Sequence, residues 1–261
     1  MAPAPYLEFD GVAKYFGNLE VVAPSFNLTI QRNEFVVFLG PSGSGKTTLM
    51  RMVGGLETPS SGEIRLDGQP IGAPDRERGM VFQSYSSFPW LTVAQNVAYG
   101  MKYRLDLTPE RKKARLDHYL ALVGLTDFAD FFPNKVSGGM RQRIAIARTL
   151  AAGSEVLLMD EPFGALDAQR REALQIELRR IHRQDAKTII FVTHDVDEAV
   201  FLADRIIVFS KRPARMLEDV DISAELGPDR TLELRDSEKF FKLRTRILKF
   251  VRAATGEEEK V

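Results

Sequence analysis

The stretch GPSGSGKTT, residues 40–48, has a composition and spacing suited to holding phosphate. Glycines at 43 and 45 let the backbone curl until its N–H groups face one point, and a helix starting there adds the positive end of its dipole. Gly40, Pro41, Ser42 and Ser44 complete the loop. Lys46 can reach β- and γ-phosphates, the Thr47 hydroxyl can ligate Mg²⁺, and Thr48 can add a phosphate contact.

Three other places carry chemistry of a matching kind. VLLMDE, residues 156–161, ends an apolar run with two acids, where Asp160 can hold Mg²⁺ and Glu161 can polarise an attacking water. IIFVTH ends in His194, which can sense a γ-phosphate and orient water. GMVFQ ends in Gln83, whose amide can ligate Mg²⁺ or hold water and can report ligand state to the segment that follows. A lone histidine or glutamine at a strand end is ordinarily structural; the common placement at strand ends gives these two their meaning. A further glycine pair stands in VSGGMRQR, residues 136–143. Ser137 reads as an N-cap, and Gly138 and Gly139 expose backbone N–H groups at a helix start, an anion site by the same physics as the first loop.

These residues need strands and helices to aim them. EFVVFLG is a buried strand feeding the first glycine loop, and a helix is expected from Lys46 to about Val53, stopped by Gly54-Gly55. Residues 6–32 read as short strands with a turn near Gly17-Asn18, and SGEIRLDGQPI reads as a hairpin turning at Asp67-Gly68. From Ser84 to Lys135 helical spacing takes over, with Thr92 capping VAQNVAYGMKYR and Thr108-Pro109-Glu110 opening ERKKARLDHYLALVGL. SEVLLMDEP and KTIIFVTH lack alternation, as strands covered on both faces do, and the amphipathic stretch between them argues for a parallel sheet. After Ser210 the signal weakens to one amphipathic stretch, RTLELRDSEKFFKLRTRILKFVRAA, with Phe240, Leu243, Ile247 and Val251 on one face, and a charged tail, GEEEK.

Composition narrows the classes. Lysine plus arginine and aspartate plus glutamate both number 36, so the chain lacks the basic excess of a typical nucleic-acid binder. With no cysteine, disulfides, thiolate metal sites and cysteine nucleophiles are excluded. No secretory signal or membrane-length apolar run is visible, so any membrane role is expected to come through a partner.

The ordered set of first glycine loop, Gln83, SGG-x-RQR, VLLMDEP, GALD and His194 resembles the ATP-binding subunit of ABC transporters over roughly residues 6–212. The resemblance implies an α/β, P-loop ABC-type ATPase with an antiparallel β subdomain, a mostly parallel core sheet and a helical subdomain insertion. The expected boundaries are 6–83 with 143–212 for the core, 84–142 for the helical subdomain and 213–261 for a C-terminal extension. It implies ATP and Mg²⁺, and two subunits facing head to tail, identical or paralogous. Each ATP then lies between one subunit's phosphate loop and the other's Ser137, Gly138 and Gly139, with Asp167 across the seam. It also implies an aromatic stacked on adenine, with Phe16 first choice and Tyr15 second. Val136, Met140 and Ala165 depart mildly from the family pattern of Leu, Gln and Ser.

FPWLTVAQNVAYG, SGGMRQR and SKRPARM look like the nitrate/sulfonate/taurine/bicarbonate importer group. That group implies transmembrane permease subunits, an indirect link to a substrate-binding protein, a peripheral place on the cytoplasmic face of the cell membrane, and no nucleic-acid partner. Phe88, Pro89 and Trp90 become candidates for the groove that receives a membrane subunit, against a plain reading as packing. The alternatives are an exporter ATPase, an ABC ATPase acting on nucleic acid or the ribosome, and a GTPase or kinase switch. NKVS, residues 134–137, begins a guanine motif but lacks its acid.

Overall fold

The computed structural model describes residues 4–83 and 87–255. Residues 84–86, which open the expected helical segment, and the tail GEEEK lie outside the described residues. In chain order the elements are β1 (Leu7–Phe16), β2 (Leu19–Ile30), β3 (Phe35–Leu39), α1 (Lys46–Val53), β4 (Ser61–Leu66), β5 (Gln69–Pro70), β6 (Arg78–Val81), α2 (Val93–Tyr99), α3 (Pro109–Leu122), α4 (Gly138–Ala152), β7 (Val156–Asp160), α5 (Ala168–Gln184), β8 (Thr188–Thr193), α6 (Val196–Leu202), β9 (Arg205–Phe209), β10 (Met216–Asp221), α7 (Ser223–Leu226) and α8 (Glu238–Thr255). They group into two compact units, one holding the chain up to Asp75 and from Arg179 onward, the other Arg76–Leu178. The segment 84–142 lies wholly within the second.

The first unit contains two kinds of sheet. β1 and β2 pair antiparallel from Leu7↔Ile30 to Phe16↔Leu19, in a sheet of order β2-β1-β4-β5. In β2, Phe26, Leu28 and Ile30 are buried while Asn27 and Thr29 are exposed, the alternation of a strand with one wet face. The two strands have 10 and 12 residues, longer than the short strands expected, because β-bulges let one ladder run on through register shifts. The other strands run β10-β9-β3-β8, with β3 parallel to both β8 and β9. β3 and β8 are buried at every residue, and each fully buried Phe, Val, Leu or Ile contributes roughly 1.5–3 kcal/mol. β9, whose apolar run RIIVF resembles those of β3 and β8, was not among the expected strands, and β10 had no clear signature in the sequence. β10 is mostly exposed and charged, and only its antiparallel pairing with β9 defines it.

In the second unit β6 and β7 pair in parallel from Arg78↔Val156 to Val81↔Met159. Thr92 caps α2 as expected, with Gln95 completing a capping box, and Thr108 caps α3 with Pro109 at its start. α2 ends at Tyr99, short of the expected Arg104, because Gly100 weakens the helix and single turns such as Arg104 N–H to Met101 O follow. Asn96, fully buried, holds the preceding loop: its amide nitrogen donates to the carbonyls of Phe88 (3.1 Å), Leu91 (3.0 Å) and Thr92 (2.9 Å), and its oxygen accepts from Phe88 N–H (2.8 Å).

Back in the first unit, the chain beyond Ser210 is packed rather than appended. Ser237 starts α8 by accepting from Phe240 N–H at 3.2 Å, so the RTLELRD stretch is a separate 3₁₀ turn and not the helix's beginning. Phe240, Leu243 and Ile247 are buried as their spacing predicts; Val251 is only half-buried. Asp204 ties this region down. Its carboxylate meets His182 Nε2 at 2.8 Å, accepts from Arg179 Nη1 at 2.9 Å, from Ser223 Oγ at 3.1 Å and from the Phe35 backbone N–H at 3.0 Å. Arg179 also donates to the Pro228 carbonyl at 2.8 Å. Burial disfavours the charged form of Asp204, but the His182 hydrogen bond and the charge and hydrogen bond of Arg179 outweigh it, holding the carboxyl well below the usual range.

A carboxyl depressed in the fold supplies stability that is complete above its unfolded pKa, about 4, and is lost as pH falls through the folded value. Asp204→Asn should therefore cost roughly 3 kcal/mol at neutral pH and flatten the acid limb of the stability curve. Urea midpoints measured from pH 7 downward test this. A variant that keeps the wild-type acid limb would show that the carboxylate is not its source.

Candidate active site

The first unit carries the phosphate loop. β3 delivers the chain at Gly40, and α1 opens on Lys46. Lys46 is 4% exposed and its ammonium donates to the carbonyls of Gly40 (2.9 Å) and Pro41 (2.7 Å) and to Ser44 Oγ (3.0 Å), so a positive charge lies inside the loop's curl. Gly45 is the N-cap of α1, at φ 102, and offers no side chain to the helix start. A Cβ there would sit 2.7 Å from the Val21 carbonyl oxygen, so both conformation and space demand glycine. At Gly43, φ 74, the position a Cβ would take meets nothing within 4 Å, so the loop is open on that side. Ser42 is exposed, and Thr47 and Thr48 lie half-buried on the first turn of α1. Backbone donors, a helix start and an enclosed ammonium fit a polyphosphate.

Phe16 and His194 belong to the same unit. Phe16 ends β1, is 46% exposed, and has the Lys14 ammonium 4.7 Å from its ring centroid. Lys14 in turn pairs with Glu57 at 3.2 Å and donates to the Thr58 carbonyl at 2.8 Å. Tyr15 is also exposed, with its N–H donated to Ser60 Oγ at 3.0 Å. His194 follows β8 and is exposed. Its turn is held by Thr193, whose hydroxyl donates to Glu198 Oε2 at 2.9 Å and accepts from Asp195 N–H at 3.0 Å.

The second unit carries the acids and the other glycine pair. β7 ends in Asp160, 4% exposed, and a carboxylate so buried is costly unless paired or ligating. Glu161 follows with φ 45, a left-handed backbone that costs a non-glycine residue of order 1–3 kcal/mol. Gln83 lies beyond β6, and its Nε2 donates to Glu161 Oε2 at 3.4 Å, so the structure brings these two together. Thr47, Gln83 and Asp160 offer only oxygen ligands, the chemistry Mg²⁺ prefers. Ser137 caps α4 by accepting from Met140 N–H at 3.3 Å, and Gly138 and Gly139 form its first turn. Asp167 Oδ1 accepts from Arg170 N–H at 2.9 Å, which caps the start of α5.

Sequence reasoning passed over Gln142. It lies within the RQR run but was assigned no role. It is 3% exposed, donates to the Glu161 carbonyl at 3.3 Å and accepts from Ala165 N–H at 3.2 Å. A buried amide inside an apolar helix face was the available signal, since such groups are almost always hydrogen-bonded. The loop 88–92 presents Trp90, 70% exposed, with the Phe88 ring 5.6 Å away and Tyr99 4.7 Å beyond Phe88. Among the described residues no helix is long and apolar enough to cross a membrane.

Comparison with known proteins gives a consistent picture. A family model described as ABC transporter matches residues 24–164. A nitrate import ATP-binding protein of Synechocystis sp. is 45% identical over 245 residues, 91% of this chain and 91% of the relative. An uncharacterized ABC transporter ATP-binding protein of Methanocaldococcus jannaschii is 44% identical over 250 residues, 94% of this chain and 91% of that one. Among solved structures, a dimeric ATP-binding cassette in a post-hydrolysis state with ADP and Pi superposes with a TM-score of 0.74 at 32% identity, covering 83% of this chain and 98% of its own.

Gly45→Ala isolates the loop's dependence on glycine. The added methyl meets the Val21 carbonyl in a backbone region it disfavours, a strain of order 1–3 kcal/mol. A lower melting temperature together with at least tenfold weaker binding of a fluorescent ATP analogue is expected. Unchanged melting and affinity would contradict this account of the loop.

Proposed function

Because this chain belongs to the ABC transporter family as an ATP-hydrolysing subunit, we propose that it powers import of a small anion of the nitrate, sulfonate, taurine or bicarbonate kind. The observation that carries the import reading is the 45% identity, across nine-tenths of both chains, to a protein named for nitrate import. The chain works as one of two such subunits, and the dimeric state of the similar cassette supports that assembly.

The mechanism follows from the residues. ATP binds with its phosphates on the loop from Gly40 to Thr48, where the Lys46 charge and the start of α1 offset the phosphate charge. Phe16 supplies a face for adenine. Thr47, Asp160 and Gln83 are the residues that would hold Mg²⁺, which would neutralise charge on the phosphates. Glu161 polarises the attacking water and His194 orients it against the γ-phosphate. Ser137, Gly138 and Gly139 close on the ATP held by the partner, so hydrolysis requires two subunits. Opening and closing of the pair then drives permease subunits at the membrane, and the exposed Trp90 beside Phe88 is the candidate contact with them. A substrate-binding protein delivers the anion to the permease and never meets this chain.

Glu161→Gln tests the hydrolytic part. It removes the base while leaving the Gln83 contact and the phosphate loop in place, so turnover should fall about 10²–10⁴-fold. ATP should then hold the chain as a stable dimer by size exclusion; a variant that stays monomeric with saturating ATP and Mg²⁺ would defeat the two-subunit scheme. Import is tested by placing the chain with its permease in vesicles and following nitrate, taurine and bicarbonate uptake. ATP-dependent efflux in place of uptake would overturn the import reading.

A further inference from the structure

The side chain of Gln142 is used at both ends. Its Nε2 donates to the backbone carbonyl of Glu161 at 3.3 Å, and its Oε1 accepts from the backbone N–H of Ala165 at 3.2 Å. These partners determine the orientation of the amide. Turned over, it would set NH₂ against N–H and oxygen against oxygen, losing both bonds. Gln142 is therefore a rigid strut from the first turns of α4 to the segment 161–165.

That segment needs support. Glu161 holds a left-handed backbone without being glycine, and the bond its carbonyl accepts from Gly164 N–H within the turn is long, 3.4 Å. One turn earlier on α4, Gly139 lies so close to this segment that a Cβ there would stand 2.8 Å from the Ala165 carbonyl oxygen. The start of α4 thus meets the 161–165 turn by direct backbone approach at Gly139 and by the amide of Gln142. A displacement of the helix start cannot be absorbed between them by a flexible side chain.

We propose that Gln142 is a positioning residue that links the two hydrolysis sites. In the dimer proposed above, on which this inference rests, Ser137–Gly139 grip the partner's ATP while Glu161 serves the chain's own. ATP held by the partner draws in the start of α4. Through Gln142 that movement sets the Glu161 backbone, and with it the carboxylate that Gln83 already contacts. Each chain's base is then aligned only when the partner's nucleotide is present, which makes hydrolysis cooperative in ATP.

The test uses the full-length chain at concentrations where it is dimeric, with three readouts: ATP turnover against ATP concentration, ATP affinity in the absence of turnover, and melting temperature. Gln142→Met keeps the volume and removes both bonds; Gln142→Glu keeps the acceptor for Ala165 and replaces the donor to Glu161 with an oxygen. Both should lower kcat about 10- to 100-fold, the scale of a slightly misplaced catalytic group, and bring the Hill coefficient down to unity. ATP affinity should stay close to wild type, and melting should fall by only the several degrees that loss of buried hydrogen bonds costs, leaving the variants folded at the assay temperature. If Gln142→Met fails to fold, Gln142→Glu decides. Wild-type cooperativity retained in a folded variant, or a loss of turnover that merely tracks a loss of folded protein, would overturn the proposal. Wild-type chain that keeps its full specific activity when diluted until it is monomeric would instead remove the dimer itself, so the two failures are told apart.

Discussion

A strand buried on both faces can carry polar chemistry only where it ends. β3, β7 and β8 are buried throughout, so a charged group within them would lie in an apolar medium at a cost of several kcal/mol. Each places its working residues at or just past its last position: the loop after Leu39, the acids at 160 and 161, and the turn from Thr193 to His194. In the first unit β3 and β8 run parallel in register, Leu39 opposite Thr193, so the phosphate loop and the His194 turn emerge at the same edge. In the second unit β6 and β7 do the same for Gln83 and Glu161. Parallel pairing thus gathers residues far apart in the chain through the strands that carry them, and the Gln83–Glu161 hydrogen bond adds to that placement.

The backbone supplies much of the remaining chemistry, and this explains which family departures matter. Phosphate is met mainly by N–H groups, whose direction depends on φ and ψ and not on side-chain identity. Val136 contributes a buried side chain and a carbonyl that accepts from Arg141 at 2.9 Å; Met140 contributes the N–H that Ser137 caps. Both roles survive the change of side chain. Gly45 and Gly139 are different, since Val21 and Ala165 respectively press against the place a Cβ would occupy.

The stabilising network and the chemical one are separate within the first unit. Asp204 gathers His182, Arg179, Ser223 and the start of β3 at the end of that strand opposite to the phosphate loop. Through Arg179 and Pro228, and through Phe240, Leu243 and Ile247 of α8, the C-terminal region becomes part of the unit's core. The loop end is thereby left free to be shaped by glycine and lysine.

Residues that announce their chemistry by type and order were legible in the sequence. The glycine loop, the VLLMDE acids, His194 and the Ser137 cap are local patterns, each set by neighbours within a few positions, and so were the starts of α1, α2, α3 and α4. Elements without a local pattern were not: β10 is charged and exposed and exists through β9, and the break of α2 at Gly100 interrupts an otherwise helical run. The strut of Gln142 and the hub of Asp204 were hidden for the same reason. Their partners lie 19 or more residues away, and which of the chain's many amides and carboxylates finds them is decided only when packing brings those backbones together.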